Sequence, residues 1–199
     1  MLKIGELLFR LRDYTPIPFV IMMIIFPSTT VQSLVMGTAL MLVGEFIRIK
    51  GVSHIGGVSR TRSYSTGKKL ITSGPFSIVR NPLYIGNFFL SLGLILIANV
   101  HPLFTLLFVA GFILQYIPIV RWEESNLKQV FGREYEDYMK TVPRWIPKLK
   151  NSEPHPEPIK PDYASSLKSE KNTLAAAVIL YFVLLLRSDW VKPVFERLF

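Results

Sequence analysis

Two short runs of this 199-residue chain carry residue types able to do chemistry. The first reads Lys68-Lys69-Leu70-Ile71-Thr72-Ser73-Gly74-Pro75-Phe76 and continues through Arg80-Asn81-Pro82-Leu83-Tyr84-Ile85-Gly86. The second is Glu123-Glu124 with Leu127, then Phe131-Gly132, Tyr135, Tyr138 and Val142-Pro143-Arg144. Gly74, Pro75, Pro82 and Gly86 permit tight turns and close backbone approach. Arg80, Tyr84, Arg121, Glu123 and Glu124 converging on such a loop would make a pocket for a polar cofactor. A plainer reading stands beside it: a basic membrane anchor next to an acidic helix start. Other chemistry has less support. No two of the three histidines have metal-ligand spacing, so no metal site is expected. No Walker motif occurs, and Gly56-Gly57 lacks the strand and the third glycine of a dinucleotide loop. The chain has no cysteine, which removes disulfides, thiolate metal sites and a thiol nucleophile together.

The elements that must position these residues are written in the hydropathy. Half of the residues are hydrophobic, yet the formal charge is +9. The apolar residues come in long uncharged blocks with Lys and Arg between them. A nucleic-acid-binding domain would instead decorate a soluble core with its basic residues, so no nucleic-acid partner is expected. The expected fold is an all-α integral membrane protein, one domain over 1–199, with spans at 17–26, 31–49, 83–100, 102–120 and 174–186. The first and last blocks are short for a bilayer crossing. A cytoplasmic loop covers 51–82, and a cytoplasmic helix with a Pro-rich tether covers 121–172. Leu127, Val130, Phe131, Tyr135, Tyr138 and Val142 share a helical stripe, so the fourth span is expected to run into the cytoplasm and stop before Pro143.

Charge orients the chain. Lys3, Arg10 and Arg12 precede the first block; seven basic residues lie between Arg48 and Arg80 and ten between Arg121 and Lys171. Only Arg187, Lys192 and Arg197 fall on the other side. The positive-inside rule then places the N-terminus and both long connections in the cytoplasm, which requires an odd number of spans; five satisfies it. Dropping either short block would put a basic segment on the wrong face. Trp190 and Phe195 would anchor the far end at the interface. Within the blocks, Glu45 and Arg48 can pair on one helix face. Asn87 and Gln115 read as helix–helix hydrogen bonds.

The motif Thr72-Ser73-Gly74-Pro75-Phe76 with Arg80-Asn81-Pro82-Leu83-Tyr84-Ile85-Gly86, followed downstream by Glu123-Glu124 and the run from Phe131 to Arg144, resembles the isoprenylcysteine carboxyl methyltransferase family. The resemblance covers about residues 35–147, and the compact size points to a prokaryotic, archaeal member. It implies a multi-pass enzyme of the cell membrane that uses S-adenosyl-L-methionine and methylates a carboxylate on a prenylated cysteine. Relatives methylate phospholipid amines or small thiols. Carried over residue by residue, the cofactor loop corresponds to Lys68, Lys69, Leu70 and Ile71, the aromatic after the glycine to Phe76, and the Arg-His-Pro-x-Tyr motif to Arg80, Asn81, Pro82, Leu83 and Tyr84. The acidic pair corresponds to Glu123 and Glu124, and Arg121 and Arg144 are the candidates for holding the substrate carboxylate. Asn81 and Lys68 stand where the family has histidine.

Methyl transfer from a sulfonium is an in-line displacement governed by alignment. A carboxylate is already deprotonated at neutral pH and needs no base, whereas an amine or thiol would benefit from one. Asn81 in place of histidine therefore fits a carboxylate acceptor better. On this reading Arg80 and Tyr84 shape the cofactor site, while Glu123, Glu124 and Arg121 place a lipophilic acceptor arriving from the bilayer lipids. Two other classes compete: a sterol-type reductase using NADPH, which shares an Arg–His–x–x–Tyr neighbourhood, and a membrane scaffold or transporter without catalysis.

Overall fold

The computed structural model of the chain describes residues 2–55, 69–148 and 160–188. The expectations for Lys68, Gly56-Gly57, His155, Trp190, Phe195 and nearly all of the proline tether lie outside these residues. Among the described residues all regular structure is helical: α1 (Leu2–Leu11), α2 (Ile17–Ile25), α3 (Val31–Ile55), a 3-10 turn (Gly74–Ser77), α4 (Pro82–Ala98), α5 (Pro102–Phe131), α6 (Arg133–Thr141) and α7 (Tyr163–Leu186). Of these, α5 and α7 are long and apolar enough to cross a membrane, and α4 is a shorter apolar helix.

The hydropathy blocks locate the helices but not their ends. The second block was expected to stop at 49, yet α3 continues to Ile55, and His54 lies in its last turn. There the His54 Nδ1 sits 2.8 Å from the Lys50 carbonyl, and the Ser53 hydroxyl donates to the same carbonyl. The last block, expected at 174, begins as a helix at Tyr163, where the Asp162 carboxylate accepts from the Ser165 amide. The stripe after α5 was expected to be one continuous helix. It breaks at Gly132 (φ +53°) and resumes as α6, because glycine alone adopts that backbone region without strain. The first block gives α2, nine residues long, or about 14 Å at the helical rise. Before it stands α1, a helix the hydropathy did not single out.

The strongest packing in the fold joins α3 to α4, and small residues make it possible. Gly44 of α3 meets Gly86 and Leu90 of α4, and Gly37 meets Gly93 and Ile97. A Cβ built on Gly44 would lie 2.3 Å from the Leu90 amide nitrogen and 2.6 Å from the Gly86 carbonyl oxygen. Both are backbone atoms and cannot swing aside. Small residues at such crossings are how membrane helices approach closely. Gly44→Ala is therefore expected to destabilise the protein in detergent by about 1–3 kcal/mol. Gly111→Ala, where a Cβ meets nothing within 4 Å, should be neutral or stabilising. Thermal unfolding of both variants checks the contrast.

A buried charged cluster ties α7 to this pair. Arg48 donates to Asn87 of α4 and to Glu170 of α7, and its Nε lies 3.6 Å from Glu45. The intrahelical Glu45–Arg48 pairing and the α3–α4 hydrogen bond of Asn87 thus follow the sequence; Glu170 does not. Gln115 departs from expectation. Among the described residues its Nε2 has no hydrogen-bond partner, and Gln115 lines a cavity of about 320 Å³ between α2, α4, α5 and α7. Outside the core, Leu42, Phe46, Leu106, Leu114, Ile179 and Phe182 are among many large apolar side chains left exposed. An apolar surface of that extent suits lipid rather than water.

Candidate active site

The site forms where α4 begins and α5 leaves its apolar stretch. The 3-10 turn Gly74–Ser77 is closed by the Ser77 hydroxyl on the Gly74 carbonyl. The chain then runs to Pro82, which starts α4, and is pinned beside the segment after α6. The Arg80 amide donates to the Pro143 carbonyl (2.9 Å), and the Lys148 amide donates to Ile78 (3.2 Å). Beneath this, Leu70, Tyr135, Tyr138 and Val142 pack with Leu127, Phe131 and Met139. The Tyr138 hydroxyl donates to the Phe76 carbonyl at 2.7 Å, so α6 fixes the loop's aromatic residue. Burial raises the Tyr135 and Tyr138 phenols above their ordinary range, and both remain neutral donors at any physiological pH.

One cavity collects most of the sequence-predicted residues. Lys69, Leu70, Ile71, Phe76, Arg80, Asn81, Pro82, Leu83, Tyr84, Glu123 and Glu124 all line it. Glu124 is its electrostatic hub. It accepts from Arg144 Nε and Nη2 at 3.0 and 2.7 Å, and from Asn81 Nδ2 at 3.4 Å. Arg80 Nε stands 3.3 Å away. Asn81 also donates to the Arg144 carbonyl at 3.2 Å, joining the two sequence motifs directly. The hydrogen bond to Glu124 raises the Arg144 pKa further, so its charge is permanent. Glu123 is equally buried, and the Tyr84 hydroxyl donates to its carboxylate.

Two predicted residues are placed otherwise. Arg144 does not line the cavity; it holds Glu124 from behind. Arg121 is exposed on α5 and lies outside the cavity. It shares the helix with Glu123 and Glu124 but projects from a different side, an angular fact that adjacency in sequence conceals. Lys68 lies outside the described residues. Conversely, Leu127, Phe131, Tyr135 and Tyr138 line the cavity, although the sequence placed them in the second motif and on its apolar stripe without assigning them to the cofactor. Ile55 lines it with no sequence signal at all, because α3 was expected to end before it. Among the described residues no group of three or more His, Asp or Glu could hold a metal ion.

A second depression adjoins the first. An open groove of about 420 Å³ between α4 and α5 is lined by Phe88, Phe89, Phe112, Tyr116, Ile85, Ile113, Ile117 and Trp145, and by Tyr84. Tyr84 alone borders both the groove and the polar cavity. Its ring packs on Tyr116 at 4.9 Å.

The sequence that builds this site has counterparts among known proteins. Residues 32–134, just over half of the chain, match the phospholipid methyltransferase family, and the chain belongs to that family. It is 30% identical over 122 residues to protein-S-isoprenylcysteine O-methyltransferase B of Arabidopsis thaliana, covering 56% of this chain and 57% of that one. It is 35% identical over 96 residues to a protein-S-isoprenylcysteine O-methyltransferase of Schizosaccharomyces pombe, covering 48% and 38%. It is also 36% identical over 89 residues to a nickel-cobalt-cadmium resistance protein of Alcaligenes xylosoxydans xylosoxydans, covering 43% and 41%. The chain thus spans about half the length of the curated relatives it matches. No solved structure matches it. The matches do not show an archaeal origin.

Proposed function

We propose that the protein is a membrane methyltransferase that uses S-adenosyl-L-methionine to methylate a lipophilic acceptor, and that the acceptor is the carboxylate of an isoprenylated cysteine. The observation that carries this reading is the position of Tyr84. A polar, carboxylate-bearing cavity and an apolar groove share one side chain as their partition. A charged donor from the cytosol and a greasy acceptor from the bilayer can meet there.

The residues fit the cofactor. Glu123 places a buried carboxylate, hydrogen-bonded to Tyr84, on the wall of the cavity, where it would face a cationic group. When bound, S-adenosyl-L-methionine supplies a methyl group made electrophilic by the positive sulfur. Lys69, Leu70, Ile71 and Phe76 would hold it through loop backbone and apolar contact, and Glu123 would balance its charge. Arg80 and Lys69 are the cavity-lining cations able to orient an acceptor carboxylate. Glu124 and Arg144 act as positioning residues that keep Arg80 and Asn81 in place. The carboxylate oxygen forms the new bond to carbon, the departing electron pair returns to sulfur, and no proton moves. Asn81 in place of a titratable residue is therefore no handicap.

The fold is read as one membrane domain crossing five times with its N-terminus in the cytoplasm. The crossings are α3, α4, α5, α7 and a first, short one that α2 makes with the turns flanking it, α2 by itself being about 14 Å long. The Ser28 and Asn99 groups bond to each other and tie the two outer turns together. The site then opens at the inner boundary. Two relatives named for isoprenylcysteine methylation support the choice of acceptor.

Equilibrium binding in detergent tests the cofactor: S-adenosylhomocysteine should bind and NADPH should not. Binding of NADPH alone would replace this reading with the reductase one. Tyr84→Ala, which merges the groove with the cavity, should lower turnover by roughly 10²-fold through lost alignment. It should leave S-adenosylhomocysteine affinity within a few-fold of wild type.

A further inference from the structure

The helix that the hydropathy overlooked has three faces. Leu8, Gly5 and Phe9 of α1 turn toward α5. Gly5 lies against the Pro118 carbonyl and the Trp122 side chain, and the Phe9 and Trp122 rings are 5.0 Å apart. A second face, Ile4, Leu7 and Leu11, follows helical spacing yet meets little among the described residues: Ile4 and Leu7 are both 56% exposed. The third face is Lys3, Glu6 and Arg10, again at helical spacing and solvated. A soluble helix needs one apolar face. This one has two, and only one has a protein partner.

The level of the helix says what covers the other. The contact with Pro118 and Trp122 falls where the uncharged stretch of α5 ends and Arg121, exposed, begins the charged one. That is the depth of the inner lipid headgroups in the five-crossing arrangement. After the turn at 12–16, α2 exposes Ile17, Ile21 and Ile24 as well. We propose that α1 lies at the inner headgroup boundary of the bilayer, with Ile4, Leu7 and Leu11 against acyl chains. Lys3, Arg10 and Arg121 face the phosphates, whose negative charge they complement. Bilayer contact thereby braces the turn of α5 that leads directly into Glu123. The inference rests on the chain being in a membrane and not on methyl transfer.

The absence of cysteine makes the test clean, because each introduced thiol is the only one. Leu7→Cys, Arg10→Cys and Leu106→Cys would each be labelled with an environment-sensitive dye. The proteins are then reconstituted in phosphatidylcholine–phosphatidylglycerol vesicles carrying a quencher near the headgroups or deep in the acyl chains. Leu106, 63% exposed on the apolar part of α5, reports whether the protein is in the bilayer at all. The expected result is deep-quencher response at 106, and a ratio of acyl-chain to headgroup quenching at 7 roughly threefold higher than at 10. Ile4→Cys should repeat the result at 7 if that variant is poorly produced. Response at 106 with none at 4 or 7 would overturn the proposal, leaving a second copy or a soluble partner as the cover of that face. Equal response at 7 and 10 would also overturn it, by showing α1 immersed. No response at 106 would remove the membrane reading and this inference with it.

Discussion

Glutamine in place of Glu124 is expected to cut methyl-transfer turnover by at least roughly 10²-fold, with a stability loss of about 3 kcal/mol. The reason is the company this carboxylate keeps. Arg80 and Arg144 approach it from two sides, and Asn81 donates to it and to the Arg144 backbone. Glu124 is buried, and so is Arg80. Removing the negative charge leaves two guanidinium groups facing each other across an amide. The penalty is large because charge is left uncompensated in a poorly solvated place, not because the ion pair itself is strong. Relaxation would separate the 80–84 motif from the segment around Pro143, spoiling the alignment on which displacement depends. Turnover should be expressed per molecule able to bind S-adenosylhomocysteine, which separates lost alignment from lost folding. Adding Arg144→Met to the variant should recover part of the stability and little of the turnover.

The second large effect is expected far from the cavity. Arg48→Met should destabilise the protein by about 3–5 kcal/mol while leaving the turnover of folded molecules near wild type. Among the described residues Arg48 is the cation that Glu45 and Glu170 share, and it spans three helices. Without it, two buried carboxylates lose their shared counter-charge. The triple variant Arg48→Met, Glu45→Gln, Glu170→Gln should regain most of the lost stability, since a neutral polar cluster carries no charge to desolvate. Unfolding in detergent, followed for the single and triple variants, measures both. A single variant as stable as wild type would mean the cluster is solvated rather than buried.

The two cases show what a sequence does and does not disclose. Glu45 and Arg48 are three residues apart on one helix, so their pairing is legible from spacing alone. Glu170 is 122 positions from Arg48 and looked like an ordinary polar residue before the last apolar block. Its partner exists only because α7 starts eleven residues before that block, under an Asp162 cap that hydropathy does not register. At the site, the hairpin of α4 and α5 was readable from the one-residue gap between the blocks at 83–100 and 102–120, and that hairpin brings the Arg80–Tyr84 and Glu123-Glu124 motifs together. The side of α5 on which each charge falls was not. Arg121 is two residues from Glu123, yet the helical turn sends it outward, while Arg144 reaches the site only through the chain reversal at Gly132. The amphipathic α1 escaped because it is short and carries charge, so a search for uncharged blocks passes over it.

The central claim is that the cavity at the inner end of α4 and α5 brings a methyl donor to a lipid-borne carboxylate. The most direct measurement is transfer of label from S-adenosyl-L-methionine to a farnesylated cysteine by the purified protein in detergent. The account predicts label in the farnesylated product that mild base releases, as a methyl ester requires, and its loss with Glu124→Gln. Label that resists base would contradict the carboxylate and point to an amine or thiol. Absence of any transfer, together with absence of S-adenosylhomocysteine binding, would contradict the account at its root.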